Sequence, residues 1–328
     1  MLSDAMTGFE LLQPTTIEDA VELLDRHGRE AWVLAGGYDS LDWFKDRVKQ
    51  PAAVIDLEGI DELRGVRSVD GGIEIGAMTT LTALESDETV RARFGLLADA
   101  AAKVASPQIR HAASIGGNVC QDTRCWYYRY GVDCYRAGGN TCYAAAPEAM
   151  NREHAVFGAS RCVAVSPSDT APALVALDAE MVIRNIRGER TIYAADFFMP
   201  PSIDIQRMTV LEPGDLLTTI RIPETWASAD FYFEKVADRQ TWDFALASIA
   251  AAFRMDGATI AEARIVGGAV QCVPRRFEWV ERMLRGEGRT EAIAEQAGAL
   301  ATRGAEPLGR NAYKVVLIEN LVKRAILG

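Results

Sequence analysis

The 328-residue chain lacks an excess of positive charge: 35 Lys and Arg stand against 46 Asp and Glu, a formal net charge of −11. An acidic surface repels phosphate backbones and anionic headgroups, which argues against nucleic acid and membrane-surface partners. No apolar run approaches the roughly 18 residues that a membrane-spanning helix needs. The N-terminal stretch MLSDAMTGFELLQP has neither a basic segment leading into an apolar one nor a twin arginine, so it does not read as an export signal. Internal repeats and low-complexity tracts are also missing. The six cysteines are too few, and too unevenly placed, for the disulfide scaffold of a short secreted domain. The expectation is a globular, cytoplasmic protein with reduced cysteines.

What is present suits such a protein. Hydrophobic residues make up 49% and charged residues 25%, and the length suggests two domains at roughly 150 residues each. Thr16 reads as the N-cap of a helix running to about Arg26, with Ile17, Ala20, Val21 and Leu24 on one stripe. Ala31–Ala35 and Ala53–Leu57 read as short buried strands with a helix through Leu41, Phe44 and Val48 between them. Gly72–Met78 alternates like a half-buried strand, and residues 80–105 read as two helices. A helix over 171–178, strands over 180–186 and 190–193, and a proline-stopped strand over 217–223 follow. A boundary falls in Glu224–Ala229. Beyond it, three antiparallel strands (231–236, 244–254 and 261–270) are joined in part by a Met255-Asp256-Gly257 hairpin. Helices over 274–284, 289–301 and 311–326 complete an α+β chain.

Two glycine pairs stand out, in Leu34-Ala35-Gly36-Gly37-Tyr38-Asp39-Ser40 and in Ser114-Ile115-Gly116-Gly117-Asn118. Neither fits G-x-G-x-x-G or G-x-x-x-x-G-K-[ST], so neither supports a Rossmann site or a Walker P-loop. Glycine turns let backbone amides converge on an anion, but either pair alone is better explained as a tight turn, since Gly-Gly turns are common. Together and in order, these segments resemble the FAD-binding medium subunits of the molybdenum hydroxylases, the xanthine dehydrogenase and carbon monoxide dehydrogenase family. That family carries an A-G-G-T-[DN] turn and a later Q-[IV]-R-N-x-A-[ST]-[IV]-G-G-[ND] segment, like Ala35–Asp39 and Gln108–Asn118 here. Pro167–Leu174, Phe233–Val236 with Arg239 and Asp243, Gly267-Gly268 and Pro274–Arg276 extend the likeness along nearly the whole chain.

The resemblance implies a two-subdomain FAD-binding fold of the vanillyl-alcohol oxidase type over residues 1–225, divided near residue 60. A C-terminal domain of the CO-dehydrogenase flavoprotein kind would span 226–328. It also implies that the FAD pyrophosphate lies between Leu34–Ser40 on one side and Ser114, Gly116, Gly117 and Asn118 on the other. Asp169 would approach the ribityl or ribose hydroxyls, and Leu217 and Lys235 would border the isoalloxazine. Tyr38 departs from the pattern, standing where the family has a small hydroxyl residue.

Five of the six cysteines lie between Cys120 and Cys162. The intervals of 9, 8 and 20 residues from Cys125 through Cys134 and Cys142 to Cys162 lack the C-x₂-C pairs of a zinc finger, so spacing alone leaves free loop cysteines open. The loop opening, G-G-N-V-C-Q-D-T-R-C, resembles the flavin subunit of 4-hydroxybenzoyl-CoA reductases. The Arg152–Gly158 stretch resembles that of bacterial aldehyde oxidoreductases. In both groups the inserted loop, here 119–163, carries a [4Fe-4S] cluster. By that likeness the ligands are Cys125, Cys134, Cys142 and Cys162, with Cys120 as a spare that could replace Cys125. Trp126, Tyr127, Tyr128, Tyr130, Tyr135 and Tyr143 then cover the cluster, or form a packed loop core or a subunit contact.

The resemblance implies no catalytic side chain in the acid–base sense. It implies an electron-transfer subunit beside a molybdopterin-binding large subunit and a small subunit with [2Fe-2S] clusters, a heterotrimer alone or dimerised. An external donor or acceptor such as ferredoxin would exchange electrons with it. The loop opening leans toward a 4-hydroxybenzoyl-CoA reductase-like complex; an aldehyde or heteroaromatic oxidoreductase is the alternative. A cofactor-free binding module and a self-sufficient flavoenzyme are the rivals from other classes.

Overall fold

The computed structural model describes residues 6–328 and builds three sheets in succession along the chain. The first five residues of the N-terminal stretch lie outside the described residues. The first sheet is parallel, with β1 (Glu10–Leu12), β2 (Ala31–Leu34) and β3 (Ala53–Asp56) in the order β1-β3-β2. Parallel neighbours need crossovers. The helix Ile17–His27 supplies one, opened by Thr16 Oγ1 accepting from the Asp19 amide at 3.1 Å and burying Ile17, Ala20, Val21 and Leu24. Ser40–Lys45 lies in the second.

The second sheet is antiparallel. β4 (Val66–Val69), β5 (Gly72–Gly76), β6 (Glu180–Asn185), β7 (Gly188–Tyr193) and β8 (Leu216–Pro223) run in the order β4-β5-β8-β6-β7. The stretch 80–105 forms three helices rather than two, Leu81–Ser86, Glu88–Arg93 and Gly95–Ala102. The cause is Asp87, which ends the first and caps the second through Oδ1, accepting from the Val90 amide at 2.9 Å.

The third sheet holds β9 (Asp230–Val236), β10 (Ala247–Asp256), β11 (Thr259–Gly268) and β12 (Arg275–Arg276) in the order β12-β11-β10-β9. It has four strands where the sequence suggests three. Arg275-Arg276 pairs with Val266 and Gly267, so the helix expected from Pro274 begins at Glu278. Phe244–Leu246, expected in a strand, precede β10 as irregular chain.

The fully buried helix Thr170–Ala176 packs between the second and third sheets. Gly268 permits the approach: a Cβ there would lie 2.8 Å from the Pro172 ring and 2.3 Å from Ser248 Oγ. Trp226, fully buried at the junction, donates from Nε1 to Asp178 Oδ2 at 2.7 Å while the Arg264 guanidinium lies 5.0 Å over its ring.

The cysteine loop contains only short helical turns, yet it is tied to all three units. Lys49 pairs with Asp122 at 2.9 Å, and Arg124 Nη1 donates to Ala245 O at 2.8 Å. On its far side Asn311 Nδ2 donates to the carbonyls of His154 and Ala155. Fully buried Lys314 donates to those of Glu153 at 2.7 Å and Ala269 at 2.8 Å. No helix among the described residues is long and apolar enough to cross a membrane.

Burial holds the Lys314 ammonium down to about 7, from an ordinary 10.5. Between those values the unfolded chain binds more protons than the folded one, so stability rises with pH across the window, and the penalty is complete below it. Urea midpoints measured from about pH 7 to 10 are expected to climb for the wild type. They are expected to climb less for Lys314→Met, which at the high end is the less stable by about 2 kcal/mol for its two lost hydrogen bonds.

Candidate cofactor site

The carboxyl end of β2 opens directly into the first glycine turn, and the second turn faces it. A Cβ on Gly36 would lie 2.3 Å from the Ala112 carbonyl oxygen, and one on Gly117 3.5 Å from the Ala35 side chain. At Gly36 only glycine lets the two backbones close to this distance. Gly37 has φ +80°, the left-handed region. Gly116 sits equally tightly, a Cβ there meeting the Ala77 carbonyl at 2.8 Å.

The two turns differ in what they leave free. The amides of Ile115, Gly116, Gly117 and Asn118 are all bonded within the protein, to Thr79 O, Ala77 O, Ser114 Oγ and Ser114 O. Those of Gly36, Gly37, Tyr38 and Asp39 have no acceptor among the described residues. Four successive unpaired amides on a cleft wall make a concave anion site.

Both turns line a cleft of about 980 Å³. Ala35, Gly36, Gly37, Tyr38, Asp39 and Ser40 form one wall; Ser114, Gly116, Gly117 and Asn118 form another; Asp169 and Leu217 also border it. Leu34 is set back, packed with Phe44 and Val54. Asn118 Oδ1 accepts from Ser168 Oγ at 2.7 Å and Thr170 Oγ1 at 2.6 Å, so its side chain positions the segment around Asp169. Ser40 Oγ accepts from Trp32 Nε1 at 2.9 Å, leaving its hydroxyl proton to donate.

Lys235 also stands behind the cleft wall. Its Nζ donates to Asp169 Oδ2 at 2.6 Å, Asp243 O at 2.7 Å and Lys103 O at 2.9 Å, which uses all three ammonium protons. The pair is almost fully buried, and burial pushes the Asp169 carboxyl upward against the pull of Lys235.

The cysteine loop also lines the cleft, among others through Asp122, Arg124, Trp126 and Arg129. Arg129 Nη2 reaches Asp39 Oδ1 at 2.9 Å, and its guanidinium lies 4.4 Å over the Trp43 ring. Arg124 and Arg129 both lie against Phe244, at 5.3 and 5.9 Å. The only signal for these arginines is their place in the loop, Arg124 within its opening and Arg129 just after it.

Within the loop, Cys125, Cys134, Cys142 and Cys162 surround one small second cavity, walled by Thr123, Tyr127, Tyr128, Arg136, Tyr143, Ala144, Val163 and Ala164. Cys120 lies elsewhere, on the large cleft. Cys272 is buried beside Arg136, with Nη2 to Sγ 3.7 Å. The backbone amides of Tyr127 and Tyr128 beside Cys125, and those of Ala144, Ala145 and Val163 beside Cys142, oppose the effect of burial on these thiols. Among the described residues no three His, Cys, Asp or Glu groups converge as a single metal ion would require; a cubane spreads its four thiolates around a volume instead. Burial pushes the Cys125 thiol up to about 12 and raises that of Cys142. As free groups both are neutral thiols, whereas a coordinated metal deprotonates a thiol outright. Of the loop aromatics, Tyr127, Tyr128 and Tyr143 line the cysteine cavity. Trp126 lines the large cleft, and Tyr130, 75% exposed, stacks on it. Tyr135 lies under the Arg161 guanidinium.

Residues 7–225 match the FAD binding domain in molybdopterin dehydrogenase, and residues 232–328 match the CO dehydrogenase flavoprotein C-terminal domain. With this fold and cleft, the chain belongs to the FAD-binding medium subunits of the molybdenum hydroxylase family. It is similar to the aldehyde oxidoreductase FAD-binding subunit PaoB of Escherichia coli K12, 35% identical over 291 residues, 87% of this chain and 86% of that one. It is 31% identical to the carbon monoxide dehydrogenase medium chain of Hydrogenophaga pseudoflava over 97% of this chain and 96% of that one. Among solved structures, carbon monoxide dehydrogenase from Hydrogenophaga pseudoflava superposes with a TM-score of 0.78 at 30% identity, covering 98% and 97% of the two chains. Quinoline 2-oxidoreductase from Pseudomonas putida 86 gives 0.77 at 25%, over 98% and 97%. This membership makes the chain an oxidoreductase subunit and decides against the rival readings.

Breaking a buried ion pair leaves a desolvated charge behind. Lys235→Met is expected to destabilise the chain by about 3–5 kcal/mol in denaturant titrations. Adding Asp169→Asn to it restores part of the loss, because the orphaned carboxylate is then gone.

Proposed function

We propose that this FAD-binding subunit also carries a [4Fe-4S] cluster and passes electrons between the two groups. When bound, FAD exchanges electrons singly or in pairs and the cluster exchanges them singly. The carrying observation is the arrangement of thiols: four cysteines from separated points of one loop surround one cavity, and Cys125 lines both that cavity and the large cleft. The donor set suits iron–sulfur ligation, being four thiols with amide and guanidinium donors around them.

In the cleft, the free amides of Gly36, Gly37, Tyr38 and Asp39 would hold the FAD pyrophosphate, with Ser40 Oγ as a further donor. Tyr38 then contributes through its backbone, which answers its departure from the family pattern. Gly117 and Ser114 would close the opposite side, and Asp169 would accept from a hydroxyl of the cofactor. Leu217 would border the isoalloxazine. Leu34 and Lys235 act from behind, as support for the first turn and for Asp169. A cleft of about 980 Å³ is ample for a dinucleotide.

The chain would work in the cytoplasm beside a molybdopterin-binding large subunit and a [2Fe-2S] small subunit, as a heterotrimer. An external one-electron partner such as a ferredoxin would meet the cluster side. The substrate reacts on the large subunit. The 35% identity to the FAD-binding subunit of an aldehyde oxidoreductase favours aldehyde oxidation there. The loop opening alone favours reductive dehydroxylation of a hydroxybenzoyl thioester.

Purified protein is expected to carry one FAD and about four irons with matching sulfide. A flavin-free protein overturns the cleft assignment, and fewer irons overturn the cluster. Serine at Cys125, Cys134, Cys142 or Cys162 should cost iron, whereas Cys120→Ser should leave it unchanged. Gly36→Ala, which drives a methyl group against the Ala112 carbonyl, is expected to weaken FAD binding about tenfold or more in a fluorescence titration, an effect of at least about 1.4 kcal/mol.

A further inference from the structure

Cys125 separates the large cleft from the cysteine cavity, and one side chain accompanies its sulfur at that wall. His154 is 1% exposed, borders the cleft, and places Nε2 3.2 Å from Cys125 Sγ. Its other ring nitrogen, Nδ1, is buried without a hydrogen-bond partner. The sulfur is therefore the one hydrogen-bonding neighbour of the ring among the described residues. The backbone holds the ring there from both sides: the His154 amide donates to Asn151 O at 3.2 Å, and its carbonyl accepts from Asn311 Nδ2 at 3.0 Å.

We propose that His154 is a positioning residue that donates Nε2–H to the Cys125 thiolate and so raises the reduction potential of the cluster. This deepens the reading of Cys125 as an iron ligand and rests on it. An iron-bound thiolate carries no proton, so the bond exists only with the hydrogen on Nε2. That tautomer leaves a bare lone pair at Nδ1, and no N–H group goes unanswered. Reduction adds one negative charge to the cluster and its sulfurs. A donor aimed at Sγ stabilises the reduced form more than the oxidised form, and hydrogen bonds to sulfur are a recognised determinant of cluster potential. A histidine serving only as filler would need no alignment with the sulfur, and phenylalanine would fill the same space without an unpartnered nitrogen.

The test is a redox titration followed by electron paramagnetic resonance, on the complex purified through a tag on this chain. In His154→Leu the cluster potential should shift downward while FAD content, iron content and flavin potential stay at wild-type values. In His154→Gln, whose amide can still donate, part of the shift should be recovered. An unchanged potential in His154→Leu with iron at the wild-type level overturns the inference, as does a glutamine variant no different from leucine. Loss of the cluster from both variants with FAD retained also overturns it, because the residue is then needed for assembly. Wild-type protein without iron instead overturns the cluster reading itself, and the iron assay separates that failure from the others.

Discussion

Lys235 Nζ gathers three oxygens from three parts of the chain: the Asp169 carboxylate ahead of the helix Thr170–Ala176, the Lys103 carbonyl after the helix Gly95–Ala102, and the Asp243 carbonyl in the C-terminal domain. Taking an ammonium and a carboxylate out of water is expensive unless every donor and lone pair is used, and here every ammonium proton is. The contact thereby fixes the back wall of the cleft. Asn118 braces the same segment from the other side through Ser168 and Thr170. The cleft is thus bounded by a polar network that tolerates little slack, while its mouth keeps four backbone amides uncommitted.

That division of labour was only half legible in the sequence. The glycine pairs are visible as local punctuation, and so are the strands whose apolar runs or alternation exceed four residues. β1 and β12 are too short to carry a pattern, at three and two residues, and are defined only by the neighbours they pair with. The break at Asp87 is local, but a polar residue within a helical stretch reads equally as a solvated face. The role of Lys235 depends on partners 66 and 132 positions away, and no local pattern encodes that.

The cysteine loop makes the same point from the other direction. Its intervals follow no local ligand rule, because the thiols converge through a chain path held by outside anchors. Lys49, Ala245, Asn311 and Lys314 lie before or after the loop and supply or receive the groups that shape it. Spacing therefore does not reveal that the four thiols converge. The fold can assemble such a site from distant anchors, and the aromatic residues that look like a single cover in sequence part company: Tyr127, Tyr128 and Tyr143 line the cysteine cavity, Trp126 lines the large cleft, and Tyr130 and Tyr135 line neither.

The ion pair between Asp39 and Arg129 joins the first glycine turn to the cysteine loop directly. A ligand that orders one of these segments orders part of the other, and thermodynamic coupling of this kind is reciprocal. If the cysteine loop holds the proposed cluster, loading of the glycine turn and loading of the loop are then cooperative: whichever comes first lowers the ordering cost for the other.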